Sequence, residues 1–303
     1  ASNVPLLPQT NEKMMNGDID SVNHAGLVVG DLFAAARRFE AMGFVLSPLS
    51  MHKGATKPGV PATDFGSGNR CAVFPNNYLE IVAHVVKDKA DVFVGKYLDR
   101  FEGMHIICFG CKNAGTVDAR LRAAGVETSG VIPLQRDVDT AEGRRTAKFD
   151  CVHFGSAATP EGLVQAAFHL TPQYIHQPAH IAHPNECVAL SNAYVAAAEP
   201  AAVARRYEML TGQKARRDGA KYVIDLPLVS RVTILPRDEV PKELPGAAMR
   251  SGDYMPGFAF ATTDMNAVTR HLEAAGIPFA RANGMNIVPA SAAFGAAVAF
   301  ERA

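Results

Sequence analysis

The chain has 303 residues, of which 48% are hydrophobic and 20% are charged, and its formal net charge is zero. This composition is typical of a globular protein. Proteins that bind nucleic acids or membrane surfaces usually carry a strong positive charge, which this chain lacks. No apolar run reaches the length of a membrane-spanning helix, so the sequence predicts neither a nucleic-acid nor a membrane partner.

The N-terminus and the cysteines indicate where the protein resides. Residues 1–18 lack a basic segment followed by an apolar one, so we expect a lead-in and not a signal peptide. The five cysteines are scattered, which favours reduced thiols and a cytoplasmic location over a disulfide framework. Cys108 and Cys111 have CxxC spacing without a second CxxC. We therefore expect buried thiols there and not a zinc or redox site.

Four segments of the chain repeat the order strand, helix, strand, strand, strand. In the first segment, hydrophobic periodicity predicts a helix over 31–43 and strands over 21–29, 44–50, 69–77 and 78–86. The order returns three times, with first strands at 103–110, 188–197 and 254–264. In the second segment, the strand after the helix is predicted over 126–133. A repeat of this kind indicates duplicated modules.

The helices show how the modules are related. "ARRFEAMG" in the first module matches "ARRYEMLTG" in the third, and "RLRAAG" in the second matches "HLEAAG" in the fourth. A block of two modules has therefore been copied once.

These patterns predict an α+β fold of four βαβββ modules that form two paired half-open barrels. One such module cannot cover both faces of its sheet, so two must pair around a concave face. We expect the first pair at 19–171, a linker rich in His and Pro at 172–186, and the second pair at 187–303.

Two predicted strands carry polar side chains in otherwise apolar sequence. Glu80 and His84 lie in "YLEIVAHVV", and Gln165 and His169 have the same spacing in "GLVQAAFHL". An unpaired carboxylate is costly to bury, so such a group is usually paired or bound to a metal. The repetition predicts a site within the first pair of modules.

Three stretches resemble the vicinal oxygen chelate superfamily, and more closely its glyoxalase-like domain proteins. They are "VNHAGLVVGDLFAAARRFEAMGF", "FGSGNRCAVFPNNYLEIVAHV" and "GLVQAAFHLTPQYIHQPAHIAHPN". The superfamily includes glyoxalase I, extradiol ring-cleaving dioxygenases and bleomycin-resistance proteins. The resemblance implies a metal held by the first and last strands of two paired modules.

Carried over position by position, the resemblance implies four metal ligands: His24, Glu80, His105 and Gln165. Two histidines and one carboxylate would form a facial triad with room for substrate, and the glutamine oxygen would be a weaker fourth ligand. The ion would be Fe, Mn, Ni, Co or Zn. Each histidine alone could equally be a hydrogen-bonded core residue.

Other polar residues of these strands and loops are candidates for contact with substrate. Glu80, His84 and His169 are candidate catalytic residues, because they share one strand face and could move a proton or orient a ligand. His52 and Asn69 are candidate substrate-binding residues. His84 and His169 could equally be strand-end histidines near solvent.

The second pair of modules serves as a control. The helix register places Asn192 at the position of His24 and Pro256 at the position assigned to His105, and only Glu301 offers a carboxylate in the last strands. We therefore expect the metal in the first pair and a scaffold, pocket wall or dimer surface in the second. Ring-cleaving enzymes usually have the reverse arrangement.

These observations predict a divalent-metal-dependent lyase or isomerase of the glyoxalase type, acting on a small substrate with vicinal oxygens. One alternative is an Fe(II) extradiol-type dioxygenase, because the same triad serves both reactions. Another is a binding protein that holds a small molecule without turnover. A homodimer is possible.

Overall fold

The computed structural model describes residues 17–303, so the predicted lead-in lies outside the described residues apart from Gly17 and Asp18. Each module has one helix of ten or twelve residues at its predicted place. The first module contains β1 (Ile19–Val28), α1 (Leu32–Ala41), β2 (Ser50–Gly54), β3 (Thr63–Val73) and β4 (Tyr78–His84). A short helix, α2 (Val94–Leu98), leads to the second module, which contains β5 (Gly103–Cys111), α3 (Ala114–Ala123), β6 (Thr128–Thr140), β7 (Gly143–Phe154) and β8 (Leu163–His169).

The second half of the chain repeats this order. The third module contains β9 (Cys187–Ala197), α4 (Pro200–Thr211), β10 (Arg216–Asp218), β11 (Lys221–Asp225) and β12 (Arg231–Pro236), followed by a short helix, α5 (Val240–Glu243). The fourth contains β13 (Tyr254–Thr262), α6 (Met265–Ala274), β14 (Ala280–Ala282), β15 (Met285–Val288) and β16 (Ala297–Arg302). Across residues 17–303, no helix is both long and apolar enough to cross a membrane.

Polar side chains fix where the module helices begin. Asp31 caps α1 by accepting the backbone N–H groups of Phe33 and Ala34, and Asn113 caps α3 in the same way. These caps align the first two modules. His24 precedes Asp31 by the same number of residues as Ile106, and not His105, precedes Asn113.

The first two modules form a closed barrel in the strand order β1-β4-β3-β2-β6-β7-β8-β5. The α+β fold of paired modules is therefore confirmed, but this pair is closed where the sequence predicted a half-open barrel. Closure arises because β2 pairs with β6 as well as β1 with β5. His52 lies opposite Arg136 at this second junction.

The last two modules form an open sheet in the order β10-β11-β12-β9-β13-β16-β15-β14. Its edge strands β10 and β14 have three residues each, too few to pair as β2 and β6 do. Buried apolar side chains of strands, α5 and its C-terminal turn, among them Tyr194, Leu235, Leu244, Tyr254 and Ile287, form one cluster with this sheet. Whether the two halves are separate folding domains stays a prediction.

The outer faces of the barrel and the open sheet share one hydrophobic core with the four module helices. Phe44 follows α1 and lies 4.6 Å, between ring centroids, from Phe260 of β13. Glu161, before β8, is fully buried and accepts hydrogen bonds from Arg206 and Tyr207 of α4 at 2.6 Å each. Apolar packing and this buried ion pair join the two halves.

Replacement of Phe44 by alanine tests this junction. We expect Phe44→Ala to lower the free energy of unfolding by about 3–5 kcal/mol, because the ring is 3% exposed and leaves a cavity. Phe33→Ala is the matched control, since Phe33 is 48% exposed and should cost no more than about 0.5 kcal/mol. Denaturant unfolding measures both, and equal losses would contradict the assignment.

Candidate functional site

A cavity of about 360 Å³ lies inside the barrel. Strand alternation directs polar side chains from seven strands into it. At its mouth, Val92, Phe93 and Tyr97 from the segment around α2 supply apolar contacts. The polar wall is formed by His24, His52, Asn69, Glu80, Arg136, His153, Gln165 and His169.

His24 projects from β1 with one ring nitrogen fixed. Its Nδ1 lies 2.9 Å from Asn23 Oδ1, an atom that can only accept, so Nδ1 carries the proton. The ring stacks on Tyr78 with 4.6 Å between centroids. The unprotonated Nε2 faces Glu80 Oε2 at 3.7 Å, too far for a hydrogen bond.

Glu80, on β4, is 8% exposed and is held by a chain of hydrogen bonds. Arg136 Nη1 donates to Asn69 Oδ1 at 2.5 Å, and Asn69 Nδ2 donates to Glu80 Oε1 at 2.5 Å. A guanidinium can only donate, so it orients the Asn69 amide with its oxygen toward Arg136 and its NH2 toward Glu80. The carboxylate thus has one oxygen committed and Oε2 free.

His52, on β2, completes this network. Its Nε2 lies 2.9 Å from Asn69 Nδ2 and 3.4 Å from Glu80 Oε1, and its Nδ1 lies 3.0 Å from Ser67 Oγ. Because the Asn69 amide nitrogen donates, His52 Nε2 accepts and Nδ1–H points to Ser67. The structure therefore brings together four of the predicted residues, His24, His52, Asn69 and Glu80.

The charges of these groups follow from burial and from Arg136. Burial alone would raise the pKa of Glu80, but the nearby imidazoles of His52 and His24, in their protonated forms, and the charge of Arg136 hold this pKa well below its usual range. Burial lowers the pKa of His24 to about 4, against a smaller opposing effect of Glu80. At neutral pH, Glu80 is ionised and His24 is neutral, the forms in which both bind metals.

Arg136 was missed by the sequence analysis. It is 6% exposed and lies within 5.8 Å of the ring centroids of both Tyr78 and Phe149. A signal was present, since Leu134, Arg136 and Val138 alternate along one stretch that became β6. The sequence analysis ended that strand at residue 133, before this stretch.

Gln165 and His169 line the cavity from β8, as their shared face predicts. Cys108 of β5 pairs with Gln165 on one side and with His24 on the other. Gln165 and His24 therefore lie at the same height in the barrel, two strands apart. Both ring nitrogens of His169 are buried and have no hydrogen-bond partner among residues 17–303. Burial holds the pKa of His169 well below its ordinary value.

His105 does not join the site, which corrects the predicted ligand set. Its neighbours Ile106 and Leu163 line the cavity, whereas its own ring lies against Phe101 and Tyr97, with centroids 4.1 Å and 5.1 Å away. His105 Nε2 donates to the Phe101 carbonyl at 2.7 Å. The alignment of the modules was one residue out, and one residue along a strand reverses the face.

His84 also lies outside the cavity wall, although it was predicted to be catalytic. Its Nε2 donates to the Lys89 carbonyl at 3.1 Å, and its Nδ1 lies 3.5 Å from Asp91 Oδ2. The ring packs over Gly66 at the end of the barrel, where a Cβ would meet it at 2.1 Å. His84 therefore anchors the loop that leads to α2.

The cavity contains side-chain atoms that could bind a divalent ion. Within the described residues, no three His, Cys, Asp or Glu side chains converge as metal ligands do. His24 Nε2 and Glu80 Oε2 are nevertheless two free donors 3.7 Å apart with no proton between them. An ion about 2.0–2.2 Å from each donor fits that separation. Gln165, whose Cα lies roughly 10 Å from that of His24 across two strand spacings, can supply a third, neutral donor.

The open sheet carries no comparable set. Asn192 takes the place of His24, Thr233 that of Glu80 and Ala299 that of Gln165. Thr233 donates to Asn192 at 3.0 Å, and Glu301 is held by Arg231 at 2.6 Å and by Ser191. These polar side chains of the open sheet therefore satisfy one another.

The barrel consists of two βαβββ modules, and side chains that can bind a metal face its interior. This arrangement is that of the vicinal oxygen chelate superfamily. The sequence model of the glyoxalase-like domain matches residues 22–211, and the chain belongs to that family. A search of curated protein sequences gave no match.

Solved structures share the fold at low sequence identity. A hypothetical protein from Staphylococcus aureus has a TM-score of 0.58 and 11% identity, covering 93% of this chain and 98% of that chain. A Mn(II)-bound glyoxalase from Novosphingobium aromaticivorans has a TM-score of 0.57 and 12% identity, covering 94% and 82%. A mutant 4-hydroxymandelate synthase from Streptomyces coelicolor has a TM-score of 0.55 and 16% identity, covering 88% and 78%.

The titration of His24 tests the described geometry. In metal-free protein we expect its ring protons to titrate near pH 4, with the signal assigned by comparison with His24→Gln. Because the pKa of His24 is lower in the folded protein than the unfolded value of 6.5, the unfolded chain binds a proton first as the pH falls. The folded protein therefore has its full stability above pH 6.5 and loses stability as the pH falls from 6.5 to 4. The loss amounts to about 3 kcal/mol. A pKa near 6.5 by NMR would contradict the burial of this ring.

Proposed function

We propose that this chain is a divalent-metal-dependent enzyme of the glyoxalase type, a lyase or isomerase for a small substrate with two neighbouring oxygen atoms. The observation that carries the proposal is the free Nε2 of His24 facing the free Oε2 of Glu80 at 3.7 Å. A neutral lone pair and a carboxylate oxygen repel each other unless a cation lies between them. His24 and Glu80 would hold the ion, with Gln165 as a third, weaker ligand.

When bound, the ion supplies Lewis-acid stabilisation of negative charge on the two substrate oxygens. The surrounding residues orient the ligands. Asn23 holds His24 in the Nδ1–H tautomer, and Asn69 holds Glu80 Oε1. Such outer hydrogen bonds fix ligand orientation and affect metal affinity. Ile106, Leu163 and the aromatic side chains at the mouth exclude water from the cavity.

Proton transfer between neighbouring substrate carbons falls to His52 in this proposal. Ser67 holds its Nδ1–H, and its Nε2 accepts a hydrogen bond from Asn69 beside Glu80. To take a substrate proton, Nε2 would exchange the hydrogen bond from Asn69 for that proton. Glu80 is a weak base because its pKa is held well below the usual range. The proposal thus moves His52 from the predicted substrate-binding group to the catalytic one, while Asn69 positions Glu80.

Two alternatives to this enzyme were predicted, an Fe(II) dioxygenase and a binding protein without turnover. An Fe(II) dioxygenase of the predicted kind needs two histidines and one carboxylate on one ion. His105, the predicted second histidine, faces away from the cavity, which weakens that alternative. A binding protein without turnover differs from the proposed enzyme in two ways, because it would need neither a tightly bound ion nor a proton-transfer step. Cytoplasmic location and a homodimer stay predictions.

Metal analysis of three variants tests the proposed ligands. Wild-type protein purified without chelator should bind one Mn²⁺ or Zn²⁺ per chain, and His24→Ala and Glu80→Gln should each lose at least about 100-fold in affinity. His105→Phe is the matched control and should retain the ion, because its ring packs among aromatic side chains outside the cavity. Loss of metal in His105→Phe as well as in the other two variants would instead support the ligand set predicted from sequence.

Proton exchange tests the chemistry. In D2O, metal-loaded protein should exchange the carbon-bound proton between the hydroxyl and carbonyl groups of 2-hydroxyacetophenone, a probe with vicinal oxygens, as followed by NMR. His52→Gln should slow the exchange by about 100-fold or more while leaving metal content unchanged. Absence of both stoichiometric metal and exchange would favour the binding protein, whereas stoichiometric metal without any exchange would contradict the proposed proton transfer.

A further inference from the structure

We infer that the cavity contains a second binding position, formed by Arg136 and His169, which takes a carboxylate group of the ligand. This inference deepens the proposed function, and rests on it only for the statement that the same ligand also reaches the metal. It names the substrate class as a small acid, with an unsaturated or aromatic portion between Tyr78 and Phe149.

Arg136 and His169 face the same two aromatic rings. The guanidinium carbon of Arg136 lies 5.8 Å from the ring centroids of both Tyr78 and Phe149. The His169 ring lies 6.2 Å from Tyr78 and 4.7 Å from Phe149, between centroids. All four residues line the cavity. A planar group beside these rings therefore meets a cation and an imidazole together.

Both polar residues retain capacity for a ligand. Two hydrogen bonds fix Arg136, to Asn69 and to Cys71 Sγ, and both leave from Nη1, so Nη2 and Nε take no part in them. His169 has two buried ring nitrogens without a partner among the described residues. Buried polar atoms of this kind are rare in folded proteins unless a ligand or water satisfies them.

The charge of the cavity wall favours an anion. Glu80 is the one carboxylate that the described residues place in the wall, against Arg136, Lys53 and Lys96. Lys53 is 3.8 Å from Asp64 at the mouth, so Arg136 is the inner cation. With a divalent ion bound, the ion and Arg136 together carry three positive charges against the one negative charge of Glu80. Two positive charges are then uncompensated. A substrate carboxylate supplies compensating negative charge in a site where unpaired charge is costly.

The geometry favours a carboxylate over a larger oxyanion. One guanidinium edge and one imidazole N–H match the two oxygens of a planar carboxylate. The cavity of about 360 Å³ is near the lower end of small-molecule sites, enough for one ring with a short chain.

Benzoate and benzamide are the matched probes, because they differ in charge and little in shape. Titration calorimetry on chelator-treated, metal-free protein should show benzoate binding at least about tenfold more tightly than benzamide. Arg136→Gln should abolish this preference, and His169→Phe should reduce it by about threefold or more. Lys87→Gln, which removes an exposed cation that does not line the cavity, should leave it unchanged.

Equal affinities of wild type for the two probes, or no binding of either, would overturn the inference. If Arg136→Gln does not fold, His169→Phe decides. Its wild-type ring makes no hydrogen bond to the described residues, so an unchanged preference would then count against the site. Mn²⁺-loaded protein should prefer benzoate more strongly still. Failure of Mn²⁺ to bind would refute the proposed function and leave the metal-free benzoate result intact.

Discussion

The hydrogen-bond chain from Arg136 through Asn69 to Glu80 is the constraint on which the cavity depends. Two opposite charges are buried in one barrel, and each would be costly without the other. Asn69 accepts a hydrogen bond from Arg136, which can only donate, and donates one to Glu80, which can only accept. This leaves Glu80 Oε2 and His24 Nε2 free to face each other.

The chain of contacts exists only because the barrel is closed. Arg136 comes from the second module, whereas Asn69 and Glu80 come from the first, and the pairing of β2 with β6 joins them. The thirteen residues of β6 and five of β2 can form that junction. In the open sheet, three-residue edge strands cannot, and apolar side chains with α5 fill the space instead. One fold therefore encloses a cavity in one copy and a solid core in the other.

The sequence predicted the modules because periodicity and caps act locally. Asp31 at the start of α1 and the repeated helix motifs needed no distant contact to be recognised. His24 and Glu80 were implied as ligands by the resemblance to the superfamily, and Glu80 was also conspicuous as an acid in an apolar strand. His105 was not placed correctly, because an error of one residue is harmless for a helix boundary but reverses a strand face. Arg136 was missed because its partners are distant in sequence, and its strand was predicted too short.

The two copies differ in whether their polar groups are satisfied. In the open sheet, Thr233 bonds Asn192 and Arg231 bonds Glu301, which leaves these groups paired with one another. In the barrel, His24 Nε2 and Glu80 Oε2 face each other without a proton, and His169 has no partner for either nitrogen. Folding alone gains nothing from such an arrangement, since buried donors and acceptors left unpaired lower stability. The unpaired atoms of His24, Glu80 and His169 that line the cavity are those expected of a site whose remaining partners arrive with the ligand.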